Sequence, residues 1–544
     1  MAVIRTHYTS DWFSGLLSPY HWASPLSYSV PSESAYFSQE YNQSGEWQNW
    51  YALTLQQRTA FHTLVEHVNN LTNLGLQEVA DTSSYGDIRI AFTDIASSDT
   101  SAYAYLPTPY YVNGAEASDL AGDIWLSEYL WSDEAKSGGW LNHTMMHELG
   151  HALGLLHPFE SNPHFSDSLP QYDNYQFTVM SYTDHPDMPG TVPVSFQLMD
   201  IAALQYMYGA NLAYNNDDTH YTFEPIIPLQ TLWDGGGSDT LDFSAVNTHV
   251  TADLSPGGFI SAGESATLHG NAVPGINNLA IAFGTDIEHF IGSSYGNDVL
   301  GNALDNHVVL GAGNDTFHWS GGSDTLLFGA GEDWLVLPHE YAQWSLELSQ
   351  GLDINHLRLT NHQTADSLTF RAVEHVQFDD VTFTPAQLVF SLPGDATLVS
   401  GDTAWQSSIY TGEDTLIPPT SAQLYRLYLG TLGRTPDQPG FEWWLNHTFN
   451  ESSLETTARG FYYSTEFQAR TDTDNNGEIS HEELLNQLYT NVLGRTPDPD
   501  GYNWWLNELY SGDYLPQQVV VGFTQSDEYV HATLQIVGLQ IWLT

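Results

Sequence analysis

Five residues carry the clearest chemistry in this chain: His147, Glu148, His151, Gly154 and His157, spaced as His-Glu-x-x-His-x-x-Gly-x-x-His. On a helix, side chains four apart share a face, so His147 and His151 present both imidazoles together. Gly154 permits a backbone turn that a bulkier residue resists. That turn brings His157 back as a third nitrogen ligand. Three imidazole nitrogens leave a fourth position open for water, which is the arrangement of a catalytic rather than a structural zinc. Glu148 then stands beside that water as general base and passes the proton on to a leaving amine.

These residues resemble the metzincin zinc endopeptidases. Pro158, directly after the third His, narrows the resemblance to the serralysin family. VMSYT (179–183) is similar to that family's Met-turn, in which Met180 would form the floor beneath the zinc ligands. The resemblance makes Tyr182 a displaceable fifth zinc ligand that also helps to stabilise the transition state. SPLSYSVP (24–31), AYAYLP (102–107), GDIWL (122–126) and MDIAALQYMYGAN (199–211) match further family segments, and their direct reading is core packing. The exception is 102–107, which resembles an exposed edge strand able to pair with an extended substrate backbone. Phe159 stands where the family usually has a small residue, and the 159–176 loop is unlike typical members. Both departures bear on subsite specificity.

The elements that must position these residues are legible. Leu53, Phe61, Leu64, Val65, Val68 and Leu71 recur at helical spacing over 53–71. Ile88, Ile90 and Phe92 alternate as a strand, 102–106 reads as another, and 141–156 reads as a helix ending near Gly154. Residues 24–212 are therefore expected to form the α+β zinc-protease domain, preceded by a short extension or remnant propeptide (1–23).

From about residue 213 the chain is rich in short Gly/Asp motifs. Asp315, Asp324 and Asp333 lie nine apart, with Phe317, Leu326 and Leu335 at the inward apolar positions. This fits a short calcium-binding parallel β-roll over 213–395, in which Gly makes tight turns and Asp binds Ca²⁺. Gly313 belongs to the same motif. Asn306 keeps the register upstream, whereas Asp298 is one residue off and is kept as a calcium candidate. WDGGGSDT (233–240) matches the family's first calcium loop, so the resemblance assigns Asp234, Gly236, Gly237 and Asp239 to calcium, with Glu288 as a distal ligand. Residues 370–381 resemble the strand that caps such rolls.

Residues 396–420 are polar and rich in Pro, Gly, Ser and Thr, as in a linker. Beyond them LGRTPDQPGFEWWLN (432–446) recurs as LGRTPDPDGYNWWLN (493–507). The duplicated unit, over 421–544, reads as helical and resembles a bacterial family of unknown function found in tandem near the ends of exported proteins. Between the repeats, Asp472, Asp474, Asn476, Gly477, Ser480 and Glu483 fit positions 1, 3, 5, 6, 9 and 12 of an EF-hand loop (472–483), read with Glu478 as a single structural calcium site. The Trp443/Trp444 and Trp504/Trp505 pairs read first as core, with sugar stacking as the alternative.

Composition limits what all this can serve. Among 544 residues, 11 Lys+Arg against 66 Asp+Glu give a formal charge of −55. A surface of that sign excludes nucleic acid as a main partner and favours bound cations. There is no Cys, which excludes disulfides, thiolate ligands and a cysteine-switch latency. No apolar run is long enough for a membrane span, and MAVIRTHYTSDWF has no signal-peptide apolar core. The expectation is a multidomain chain and a monomer: an α+β metzincin catalytic domain, a short calcium β-roll or β-sandwich, and an α-helical repeat domain. One catalytic Zn²⁺, several structural Ca²⁺ and protein substrates go with it. The resemblance implies type I secretion from a Gram-negative bacterium, and the acidity suggests a marine or saline habitat. The rival reading is a calcium-dependent extracellular protein binding a surface, matrix or polysaccharide, with proteolysis minor or lost. A zinc enzyme cleaving a non-peptide bond is a weaker third.

Overall fold

In the computed structural model the described residues are 3–388 and 421–529, apart from short stretches of which 38–44, 161–169, 349–356 and 445–453 are the longest. The expected linker, part of the 159–176 loop and part of the first C-terminal repeat lie outside the described residues.

The first helix, α1 (Leu55–Leu71), starts at a reciprocal cap: Thr54 and Gln57 each bond the other's backbone N–H. It buries Phe61, Leu64, Val65, Val68 and Leu71, the face expected from spacing. Beside it lies a mixed sheet of β1 (Ser27–Ser29), β2 (Trp50–Tyr51), β3 (Gln77–Glu78), β4 (Ile88–Thr93), β5 (Ala102–Ala104) and β6 (Ile124–Ser127), in the order β3-β1-β4-β6-β5 with β2 also pairing β4. Every residue of β4 is buried. Arg89 is tolerated there because Asp81 binds its guanidinium through two oxygens at 2.9 and 3.0 Å. The expected strand at 102–106 is β5, which ends the sheet and runs antiparallel to β6.

The zinc-motif helix, α2 (Trp140–Ala152), and α3 (Leu198–Tyr208) pack in the same core, with Met145, Met146, Leu149, Met199 and Leu204 among the buried residues. Two carbonyls at the end of α2 find partners from far along the chain: Trp22 Nε1 donates to Ala152 at 2.7 Å, and the Tyr208 hydroxyl to Leu153 at 2.5 Å.

The chain divides into two compact units, Met1–Ser294 with Asp298–Asn302, and Tyr295–Asn297 with Ala303–Thr544. The first unit runs on past residue 212. Trp233 and Ala282, from the Gly/Asp-rich part, lie in one buried cluster with Val179 and Met180, so the first roll strands complete the core around α2. From the N-terminal stretch, Leu16, Leu17 and Trp22 belong to the same cluster.

In the second unit the nine-residue register becomes a roll. Parallel neighbours are 18 residues apart, His307 facing Thr325 and Thr316 facing Trp334, so successive nine-residue steps alternate between two sheets. Phe317, Leu326 and Leu335 are buried between them, as expected. Ser367–Arg371 and His375–Gln377 add parallel strands, and Trp344–Leu348 and Leu357–Asn361 continue one sheet antiparallel.

The C-terminal part is helical and its duplication is physical. Gly433 and Gly494 both take positive φ, +62° and +61°. Arg434 lies over Tyr428 at 5.5 Å, and Arg495 over Tyr489 at 5.3 Å, at equivalent positions of the two repeats. In each repeat one Trp packs on a glycine: a Cβ on Gly460 would meet Trp444 at 2.2 Å, and one on Gly522 would meet Trp505 at 3.4 Å. The other Trp of each pair, Trp443 or Trp504, is about half exposed, at 51% and 48%.

Candidate active site

Helix α2 carries His147, Glu148 and His151, and the turn after it carries His157. The turn depends on Gly154, which has φ +100°. A Cβ there would also stand 3.1 to 3.3 Å from Ser18, Tyr20 and Pro107. The N-terminal segment holds this turn: Ser18 N–H donates to Gly154 O, and Leu156 N–H to Leu16 O.

The three ligand nitrogens converge. His157 Nε2 lies 3.2 Å from His147 Nε2 and 3.0 Å from His151 Nε2. Each Nδ1 has its own acceptor: Val179 O at 2.8 Å for His147, Leu155 O at 2.7 Å for His151, and Glu160 Oε1 at 2.7 Å for His157. Donation through Nδ1 leaves each Nε2 lone pair aimed at the centre. Burial lowers His147 to about 4 and lowers His151 too, which keeps both imidazoles neutral and able to ligate. Three imidazoles in this arrangement fit a zinc ion with one position left open.

Glu148 is buried beside them, and its Oε2 has no hydrogen-bond partner among the described residues. Burial pushes its carboxyl up to about 8. Tyr182 is 67% exposed, with its ring stacked on His147 at 5.6 Å and 4.8 Å from that of His157. Phe159 lies parallel to His157 at 4.8 Å and 5.1 Å from Tyr182, so the departure noted in the sequence sits against the ligands.

Met180 is fully buried under α2. A Cβ on Gly150 would come within 2.6 Å of its sulfur, so any larger residue there would push the buried Met180 side chain aside. Asp200, at the start of α3, fixes the turn by accepting from Thr178 Oγ1 (2.6 Å), Val179 N–H (2.8 Å) and Gln197 N–H (2.9 Å). Sequence reasoning missed Gly150, Asp200 and Glu160. The segment holding Asp200 carries only a packing signal, and a carboxylate three residues beyond the third His is the available signal for Glu160.

The acidic candidates fall into three groups. In the first loop, Asp234 accepts from Tyr221 and Gly236, while Asp239 N–H donates to Glu288 Oε2 at 2.7 Å. Gly236 and Gly237 have φ of +136° and +142°, and a Cβ on Gly237 would press on Asp217 O at 2.6 Å. Burial, then Asp234 and Glu288, push Asp239 up to about 7.

In the roll, Asp333 Oδ1 accepts from Asp315 N–H, Asp324 Oδ1 from Asn306 N–H, and Asp315 Oδ1 from the Asn297 amide. The second oxygens of Asp239, Asp315, Asp324 and Asp333 are buried without a hydrogen-bond partner among the described residues. A buried carboxyl oxygen left without a partner is costly, in the first loop and in the roll alike. Gly313, with φ +107°, lets two roll turns approach: a Cβ would be 2.3 Å from Gly296 N. Asn297, not Asp298, occupies the buried register position. Glu374 Oε2, which the sequence did not mark, accepts from Asp333 N–H at 2.8 Å, as Glu288 does from Asp239.

In the C-terminal part, the helices Thr465–Thr471 and His481–Asn491 flank the EF-hand-like loop. Asp472, Asp474 and Glu483 offer carboxylate oxygens within 4.8 Å of one another, and Gly477 turns the chain at φ +86°. Asn476 bonds within the loop, and Glu478 lies outside that carboxylate trio. Bonds from Ser480 and Thr473 hold Glu483 down at about 2.

Comparison with known proteins supports the same reading. Residues 199–398 match the family model described as Peptidase M10 serralysin C terminal, and residues 472–533 match a domain of unknown function (DUF4214). Serralysin of Proteus mirabilis is 30% identical over 316 residues, 52% of this chain and 60% of that protein. Serralysin C of Dickeya chrysanthemi is 35% identical over 228 residues (37% and 43%), and Metalloprotease AprA of Pseudomonas entomophila (strain L48) 34% over 257 residues (42% and 50%). The matched region spans roughly half the length of these relatives. Among the described residues no helix is long and apolar enough to cross a membrane. Over about half of its length the chain is thus similar to serralysin-type metalloproteases.

Proposed function

We propose that the protein is an exported zinc-dependent endopeptidase whose fold is stabilised by calcium. The observation that carries this reading is the convergence of the Nε2 atoms of His147, His151 and His157, with each Nδ1 already committed. His147, His151 and His157 would hold the metal. When bound there, zinc supplies Lewis-acid polarisation of a water and of a peptide carbonyl. Glu148 takes up the water's proton and delivers it to the leaving amine, a task suited to a buried carboxylate with an uncommitted oxygen. Tyr182, with its ring against two of the ligands, donates its hydroxyl to the developing oxyanion. The end strand β5 aligns the substrate backbone by strand addition.

Calcium would be held by Asp234, Asp239 and Glu288 in the first loop, by Asp315, Asp324 and Asp333 in the roll, and by Asp472, Asp474 and Glu483 in the EF-hand-like loop. With −55 formal charge the metal-free chain repels itself, and external calcium neutralises it on folding outside the cell. Type I export accords with that order of events. The outward Trp443 and Trp504 favour an added attachment role for the repeats toward a surface polysaccharide.

Casein hydrolysis at saturating calcium, with wild type and Glu148→Ala, each with and without phenanthroline, tests the reading. Activity should be lost in the variant and in the chelated wild type. Absence of activity from folded, zinc-loaded wild type would overturn it in favour of the binding-protein reading.

A further inference from the structure

The three ligand histidines are not held alike. His147 and His151 give their Nδ1 protons to backbone carbonyls, Val179 O and Leu155 O. Those acceptors are neutral and belong to the fold itself. His157 stands on the turn beyond α2, and its Nδ1 is instead 2.7 Å from a side-chain carboxylate, Glu160 Oε1, three residues on. Phe159, between them in sequence, lies parallel to the imidazole at 4.8 Å and 10°. The ring of the third ligand is thus fixed in plane by an aromatic face and in rotation by an anion.

We propose that Glu160 is a positioning residue for zinc: it selects the Nδ1–H tautomer of His157, orients Nε2 to the centre and strengthens it as a donor. The inference deepens the zinc reading and rests on it. A carboxylate behind an imidazole polarises the N–H bond and places more electron density on the far nitrogen than a neutral carbonyl does. Without an acceptor, the imidazole is free to rotate or to protonate at Nε2, and either change removes a ligand. Glu160 does not touch the reacting atoms and takes no proton from substrate.

The test is zinc affinity of the full calcium-loaded chain, by competition with a chromophoric chelator, for wild type, Glu160→Gln and Glu160→Ala. Wild type should bind one zinc per chain; if it binds none, the zinc reading itself fails. Glu160→Ala should bind about 10- to 100-fold more weakly, the usual effect of losing such a partner. Glu160→Gln keeps a neutral acceptor for Nδ1–H without the charge and should fall between wild type and Glu160→Ala. Thermal unfolding of the metal-free variants should match wild type, because Glu160 is half exposed and its effect is on the ligand. Affinity unchanged in Glu160→Ala would overturn the proposal, as would Glu160→Gln binding no better than Glu160→Ala.

Discussion

His147 Nδ1 lies 2.8 Å from the carbonyl oxygen of Val179, and the N–H of the same Val179 donates to Asp200 at 2.8 Å. One residue thus links the zinc-motif helix to the Met-turn and the Met-turn to α3. Asp200 is fully buried and accepts three hydrogen bonds. Asp200→Ala should leave those donors unpaired and destabilise the fold by about 2–5 kcal/mol. Zinc affinity should fall with it, because Val179 is no longer held. Asp200→Asn, which keeps an acceptor, should cost less. Urea unfolding with a parallel zinc titration checks this. Equal stability of Asp200→Ala and wild type would refute the linkage.

Gly150 is a helix-interior glycine where propensity favours alanine. Packing decides otherwise, since its Cβ would lie 2.6 Å from Met180 Sδ. Gly150→Ala should therefore lower stability by about 1–3 kcal/mol, the cost of overpacking. Met180→Ala alone should also destabilise by leaving a cavity. Together the two changes should cost less than the sum of the singles, because each relieves the other. Strict additivity in that double-mutant cycle would argue against the contact.

Phe159 is 43% exposed beside the three imidazoles, so it should contact substrate rather than only fill space. Phe159→Ala should raise KM for substrates with a large apolar side chain at the neighbouring subsite by up to about tenfold, the scale of one aromatic contact. For small side chains KM should change little. A uniform fall in kcat without any change in KM ratios would show instead that Phe159 serves only His157.

Much of this was readable in the residues. A fixed local spacing on one helix and one turn brings three imidazoles together, so His147, His151 and His157 converge as that spacing implies. The nine-residue register became alternate sheets of a roll for the same reason. What stayed hidden comes from distant parts of the chain. Leu16 O and Ser18 N–H grip the Gly154 turn, which no local pattern announces. Trp233 and Ala282 complete the core around α2 from well beyond the expected boundary. Asp298 attracted attention as an acid, yet position 297 holds the register, and there an asparagine serves.

The roll carboxylates make metal-free stability depend on pH with a definite sign. Burial pushes Asp315 up to about 6, and Asp324 and Asp333 up to about 8; Glu374 rises to about 7. Each native carboxyl then binds its proton more tightly than the unfolded chain does. That stability is fully present below the unfolded value near pH 4 and is lost as pH rises through about 6 to 8. In the first unit two buried histidines act oppositely: burial lowers His67 to about 4 and His143 to about 3, so they subtract stability as pH falls below about 6.5. Lowering the pH from 8.5 to 6.5 should therefore stabilise the calcium-free protein. Calcium binds the ionised carboxylates, so saturating calcium should abolish that trend. The calcium-induced rise in Tm should be larger at pH 8.5 than at pH 5.5, by calorimetry at fixed ionic strength. A rise independent of pH would mean that the orphaned oxygens of Asp315, Asp324 and Asp333 are not where calcium binds.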